Sequence, residues 1–145
     1  MQLHTGSGRF ELNIPAGHAR AQIPAWYHRP ENLTDESPVV IVLHGTSRAA
    51  RTSRDKWAPH ADEHGFFVVV PDFEAEYFSD PPYAYANLWS PEDPFEPQDW
   101  SVSYSAILDR LFDAVNSALG GAAQQFILYG PSAGAAFAHR YLTFS

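Results

Sequence analysis

The stretch Phe126-Ile127-Leu128-Tyr129-Gly130-Pro131-Ser132-Ala133-Gly134 decides the fold of this 145-residue chain. Its four leading apolar residues predict a short strand, and the Ala-rich, proline-free residues 133–142 favour a helix. A G-x-S-x-G pattern lies between the two. Strand, tight turn and helix around this pattern are typical of a nucleophile elbow, whose strained turn projects a serine hydroxyl beyond the sheet. An ordinary βα turn with Ser132 as helix N-cap stays open as the alternative.

Small residues around Ser132 agree with the elbow interpretation. Gly130 and Gly134 leave room for the strand and the helix to pass closely at the turn. The amino terminus of the following helix offers free N–H groups, Ala133 N–H among them, where an oxyanion would develop. We therefore expect Ser132 to be a nucleophile with an anion-stabilising group beside it.

A second loop supplies the other half of this predicted site. His44-Gly45-Thr46 follows the apolar run 39–43, at an edge of the sheet where a backbone N–H can turn towards the serine. Gly45 permits that turn, and we expect His44 to shape the loop rather than to act as a base. The Thr46 N–H would then join the Ala133 N–H in a two-donor oxyanion hole.

The remaining apolar runs predict an α/β domain with a mostly parallel sheet. Continuous β-branched and aromatic runs indicate buried strands, and apolar residues at helical spacing indicate amphipathic helices. Thr52 and Asp55 resemble a capping box, and Gly65 is the predicted C-cap of the same helix. The predicted elements in chain order are strands at 10–14, 20–28 and 39–43, a helix at 52–64, a strand at 66–70, a helix at 107–119, a strand at 125–129 and a helix at 133–142. This order implies right-handed crossover connections.

The formal net charge of -8 belongs to one part of the chain. Eight of the 17 acids lie between positions 72 and 99, where there is no Lys or Arg, and the other acids balance the 9 basic residues. Without a basic face, nucleic acid is excluded as a partner. No apolar run approaches the roughly 20 residues of a membrane span, and no secretory signal is visible, so we expect a cytoplasmic protein. The absence of cysteine agrees with that compartment.

Residues 73–100, the acidic loop, differ in composition from the rest of the chain. They hold 5 of the 12 prolines and 8 of the 21 aromatic residues. Such long loops in compact domains are uncommon and are often lids or binding loops. A lid whose rings pack on an acyl group and a packed surface loop with solvated acids both stay open.

Four features together resemble the α/β-hydrolase superfamily: Leu43-His44-Gly45, the Trp57 helix, the 66–72 strand and the elbow at 129–134. Within it, the chain looks most like the poly(3-hydroxybutyrate) depolymerase and feruloyl-esterase-like branch, from about residue 20 to residue 145. The resemblance implies that residues 1–145 are a single, incomplete α/β-hydrolase domain, truncated after the elbow helix. The parent protein would hydrolyse a small-molecule or polymeric ester through an acyl-enzyme on Ser132, with no cofactor and no metal. It does not indicate an oligomeric state.

The predicted site has no general base. In this superfamily the acid and the histidine follow the serine, but after Ser132 there is no Asp or Glu and only one histidine, His139. A side chain about 10 Å along the same helix cannot accept the serine proton. We interpret His139 as structural, and likewise five histidines that precede the serine: His4, His18, His28, His60 and His64.

Two functional hypotheses follow. In the first, the chain is the amino-terminal portion of a longer serine esterase and is itself nearly inactive; a peptidase of the same fold starts with the same attack. In the second, the chain is complete and is a non-catalytic binding or self-associating module. The strand ending at Tyr129 would then form an exposed apolar edge that a partner or a second copy covers.

Overall fold

A computed structural model describes all 145 residues. The elements are β1 (Gly6–Asn13), β2 (Gln22–Arg29), β3 (Val39–Val42), α1 (Ala50–His64), β4 (Phe67–Pro71), a 3₁₀ turn (Trp100–Val102), α2 (Ser105–Leu119), β5 (Phe126–Tyr129) and α3 (Ala133–Phe144). Apart from the short 3₁₀ turn, their order is the predicted one. No helix has both the length and the apolarity needed to cross a membrane.

The five strands form one mixed sheet in the order β1-β2-β4-β3-β5. β3 pairs in parallel with β4 and with β5, whereas β2 is antiparallel to both of its neighbours. Four of the five strands therefore run in one direction, and the predicted α/β fold with a mostly parallel sheet is confirmed.

The central strands are apolar throughout because both faces of the sheet are covered. On one face, Val40 and Val42 of β3 join Val68 and Val70 of β4 in a cluster with Ala61 of α1. On the other face, alternate strand residues join a larger core that includes α2 and α3. Alternation along each strand sends successive side chains into opposite layers, so a strand between two layers has no polar position.

Helix α1 begins before the predicted capping box, and that prediction is wrong. The N-cap position is Ala49, which makes no side-chain capping bond, and Thr52 lies inside the first turn. Ala50, which is 2% exposed, packs beside the β3 and β4 valines, and this burial extends the helix towards its amino terminus. The other end is as predicted, because Gly65 adopts the left-handed conformation with φ 68° and donates to Ala61 O.

The apolar run of β5 indicates a buried strand, and this prediction is wrong. It lies at the end of the sheet, where Phe126 and Leu128 are half-buried while Ile127 and Tyr129 are 55% and 46% exposed. A strand at the edge has a neighbour on one side only, so part of its apolar surface stays open. The exposed apolar edge foreseen for this strand is therefore present.

The acidic loop contains no strand or α-helix, and some of its aromatic rings pack against α3. Tyr83 packs 5.4 Å from Phe137, and further along the loop Trp89 packs 5.7 Å from Phe144, measured between ring centroids. The part of the loop around Tyr83 thus supplies core residues, and the part around Trp89 reaches the carboxyl end of α3. That end lies about 18 Å from Ser132 along the helix axis.

Candidate active site

Ser132 lies at the apex of a strained turn between β5 and α3. Its backbone has φ 53° and ψ -121°, a region that costs a residue with a side chain roughly 1–3 kcal/mol. The serine occupies the N-cap position of α3, yet its side chain makes no capping hydrogen bond. The residue is exposed. The hydroxyl is therefore free, as a nucleophile requires and as an N-cap serine would not be.

Two glycines let three pieces of backbone meet beneath this turn. A Cβ added to Gly130 would lie 2.3 Å from the carbonyl oxygen of Gly134. A Cβ added to Gly134 would lie 2.8 Å from the carbonyl oxygens of both Leu43 and His44. The start of α3 consequently rests directly on the carboxyl end of β3, and no other residue type fits at either position.

The close contact between the start of α3 and the end of β3 also places the predicted oxyanion loop, His44-Gly45-Thr46, beside Ser132. The Cβ position of Gly45 lies 3.6 Å from Ser132 Cβ. A turn follows, closed by the Arg48 N–H donating to Gly45 O at 3.1 Å, with Thr46 exposed at its centre. Neither the Thr46 N–H nor the Ala133 N–H donates to any group of the chain. The structure thus brings two segments with unpaired donors to Ser132.

His44 is buried beneath this loop with both ring nitrogens engaged. Its Nε2 lies 3.0 Å from the Phe73 amide nitrogen, which can only donate, and its Nδ1 lies 3.1 Å from Gly45 O, which can only accept. The proton is therefore on Nδ1. Burial lowers the pKa of His44 from 6.5, which keeps the ring neutral. A histidine in this state holds the loop and has no lone pair left to act as a base for Ser132.

The acidic loop supports the oxyanion loop through residues that the sequence did not single out. The Tyr83 hydroxyl donates to His44 O at 2.7 Å, and its ring stacks on the imidazole with centroids 4.9 Å apart. Arg48 lies 4.2 Å from the centroid of the Tyr83 ring and donates to Phe73 O. The aromatic density of residues 73–83 was the available signal, but it did not reveal which residues the rings contact.

No side chain is hydrogen-bonded to the Ser132 hydroxyl. His139 is exposed on α3, and its carbonyl oxygen accepts from the Thr143 hydroxyl. No group of three or more His, Cys, Asp or Glu side chains is arranged to hold a metal ion. The residues brought together are the serine and the two candidate oxyanion donors.

The fold is that of a class of hydrolases. No protein-family model and no curated protein matches the chain. Solved structures of several esterases and hydrolases do match it, among them an acetyl xylan esterase from Aspergillus awamori, with a TM-score of 0.64 and 16% identity over 92% of this chain and 47% of that one. The chain has the fold of the α/β-hydrolases, which confirms the resemblance seen in the sequence.

Two solved structures are more similar. Poly(aspartic acid) hydrolase-1 from Sphingomonas sp. KT-1 is 28% identical with a TM-score of 0.84, over 97% of this chain and 52% of that one. LpqC, a poly(3-hydroxybutyrate) depolymerase from Bordetella parapertussis, is 26% identical with a TM-score of 0.85, over 98% and 48%. The chain therefore spans about half the length of the structures it matches.

The close approach at Gly134 predicts a sharp difference between two glycines. Gly134→Ala places a methyl group against two backbone carbonyls and should lower the free energy of unfolding by about 1–3 kcal/mol. Gly45→Ala is the matched control, because its new methyl group meets only ordinary contacts at 3.6 and 3.7 Å. Urea denaturation of both variants measures the difference, and equal stability would contradict the close crossing.

The neutral state of His44 predicts acid sensitivity. Its folded pKa lies below 6.5, so on acidification the unfolded chain binds this proton first, and stability falls as the pH drops below about 6.5. His18, whose pKa is also lowered by burial, acts in the same direction. His44→Asn should reduce the loss of unfolding free energy between about pH 7 and pH 5. The exposed His139→Asn is the control, and equal pH dependence in both variants would contradict the assignment.

Proposed function

We propose that this chain carries the nucleophile and the oxyanion hole of a serine hydrolase that cleaves carboxylic esters. One observation supports this most: the free hydroxyl of Ser132 stands on a strained turn beside two segments with unpaired N–H groups, at Thr46 and Ala133. The names of the matching structures, which include esterases and a depolymerase, support the same class of reaction.

In the proposed reaction, Ser132 Oγ attacks the acyl carbon and the ester carbonyl oxygen becomes an oxyanion. The Thr46 and Ala133 N–H groups donate to that oxygen, each contributing about 3–4 kcal/mol to transition-state stabilisation. The Oγ proton passes to the general base, which gives it to the alcohol oxygen as the C–O bond breaks, and this leaves an acyl-enzyme for water to hydrolyse. Strain at Ser132 and the buried support around His44 keep these groups in position before substrate binds.

The general base and the acid of this hydrolase are proposed to lie outside residues 1–145. His44 uses both ring nitrogens for the loop, and His139 lies about 10 Å along α3 from Ser132. A serine without a base is a weak nucleophile. The 145 residues by themselves should therefore bind and polarise an ester without hydrolysing it at an enzymatic rate.

The substrate is proposed to be a small or polymeric ester. Poly(3-hydroxybutyrate) and acetyl xylan appear in the names of two matching proteins. Ser132 is exposed, so its hydroxyl can meet an ester that belongs to a polymer chain as readily as a small one.

Removal of the Ser132 hydroxyl tests the nucleophile. In the complete gene product, Ser132→Ala should lower kcat for p-nitrophenyl butyrate by roughly 10⁴-fold or more. Ser117→Ala, on the exposed surface of α2, is the control and should keep full activity. In residues 1–145 alone, a fluorophosphonate probe should label Ser132 only near background, as mapped by peptide mass spectrometry. Rapid labelling there would show that a base lies within the chain and would contradict the proposal.

A proline at position 46 tests the oxyanion donor without disturbing the turn. Thr46 is the second residue of the turn that Arg48 closes, a position that favours proline. The substitution removes the N–H together with the exposed threonine side chain, and Thr46→Ala, which removes the hydroxyl but keeps the N–H, separates the two effects. Thr46→Pro in the complete gene product should lower kcat by roughly 10²–10³-fold with little change in stability. Ser47→Ala in the same turn is the control. Unchanged kcat in Thr46→Pro would remove Thr46 from the oxyanion hole.

A further inference from the structure

A second serine lies next to a histidine and a carboxylate, far from Ser132. The Ser7 hydroxyl oxygen lies 2.8 Å from His28 Nδ1, and His28 Nε2 lies 2.7 Å from Asp62 Oδ1. These residues belong to β1, β2 and α1, at the edge of the sheet opposite to β5. The elbow mechanism uses none of them.

The fold brings the three side chains together for simple reasons. Ser7 and His28 are directly opposite each other in the antiparallel pair of β1 and β2, so their side chains share one face. Asp62 lies in the last turn of α1, which packs on that face and also carries Arg54, a donor to Tyr27 O of β2. Register and helix packing together create the arrangement, and no sequence motif marks it.

Asp62 determines which nitrogen of His28 is basic. A carboxylate only accepts hydrogen bonds, so His28 Nε2 carries the proton and donates it to Asp62. The lone pair is then on Nδ1, which faces the Ser7 hydroxyl. The His28 side chain is 11% exposed, whereas Ser7 itself is exposed. His44 has the opposite tautomer, with its lone pair taken up by a backbone amide, so His28 has a base function available that His44 lacks.

A polar groove lies beside this arrangement. It has a volume of about 590 Å³ and no hydrophobic residue in its lining, which includes His28, Asp62, Arg29 and Asn32. Ser7 lies outside this lining, and Arg29, which follows His28 in β2, turns its side chain to the other face of the sheet and donates to Leu3 O. A groove of this composition suits a small, polar acyl group and disfavours a long hydrocarbon chain.

We propose that Ser7, His28 and Asp62 form a second nucleophilic centre, at which Ser7 accepts a small acyl group from an activated ester. Ser7 Oγ bonds to the acyl carbon while its proton passes to His28 Nδ1. The C–O bond to the leaving group breaks, and the leaving oxygen keeps the electron pair and takes the proton from Nδ1. Asp62 stabilises the transient imidazolium. This centre is independent of the function proposed for Ser132.

Acetyl transfer from p-nitrophenyl acetate to the 145-residue chain tests the proposal. Peptide mass spectrometry should find one acetyl group on Ser7, and it should persist in the Ser132→Ala variant. His28→Gln should slow acetylation of Ser7 by roughly 10²-fold or more, because the base is lost. Asp62→Asn should slow it as well, because an amide can donate to Nε2 and move the proton to Nδ1.

The controls separate this centre from general reactivity. Ser117→Ala should leave the acetylation of Ser7 unchanged, and circular dichroism of each variant checks that it folds. If His28→Gln does not fold, Asp62→Asn, which keeps the shape of the side chain, carries the test. Acetyl groups confined to lysines, the amino terminus or Ser132 would overturn the proposal, as would Ser7 acetylation that is insensitive to Asp62. An octanoate ester that reacts as fast as the acetate would overturn the assignment of a small acyl group.

Discussion

The rest of the candidate site depends on one close contact between backbones, where the start of α3 rests on the carboxyl end of β3. Any side chain at Gly134 would strike the carbonyl oxygens of Leu43 and His44. Because the helix can come this near, the turn before it is sharp enough to hold Ser132 at φ 53°, and Gly45 reaches the serine. The strained backbone of Ser132 is thus a consequence of the packing beneath it. The buried sheet stabilises this conformation, and no hydrogen bond to the serine hydroxyl does.

The layer beneath that contact explains why the acidic loop is rich in aromatic residues. Phe73 and Tyr83 hold the imidazole and the carbonyl oxygen of His44, and Tyr83 also contacts Phe137 of α3. The first part of the loop therefore connects the loop at Gly45 to α3, the helix that follows Ser132. The acids of the loop are mainly on its surface, so its charge and its rings have separate roles.

Two buried histidines show how surroundings decide the chemistry of one side chain. His44 meets a backbone N–H at Nε2 and becomes a fixed structural group, whereas His28 meets a carboxylate at Nε2 and keeps a basic nitrogen for Ser7. Interpreting His28 as structural, together with the five other histidines besides His44, missed this distinction, because it depends on which neighbour each ring nitrogen meets. Position in the chain does not contain that information.

The sequence by itself determined the order of the elements, the G-x-S-x-G turn at Ser132 and the loop at Gly45, because periodicity, glycine spacing and apolar runs are local properties. Only the tertiary structure decided that α1 starts at Ala50, since that start follows from the neighbours that bury Ala50. It alone also decided the partners of His44 and His28, because those hydrogen bonds join residues between 21 and 39 positions apart. Contacts over such separations arise from strand register and layer packing, which no local pattern encodes.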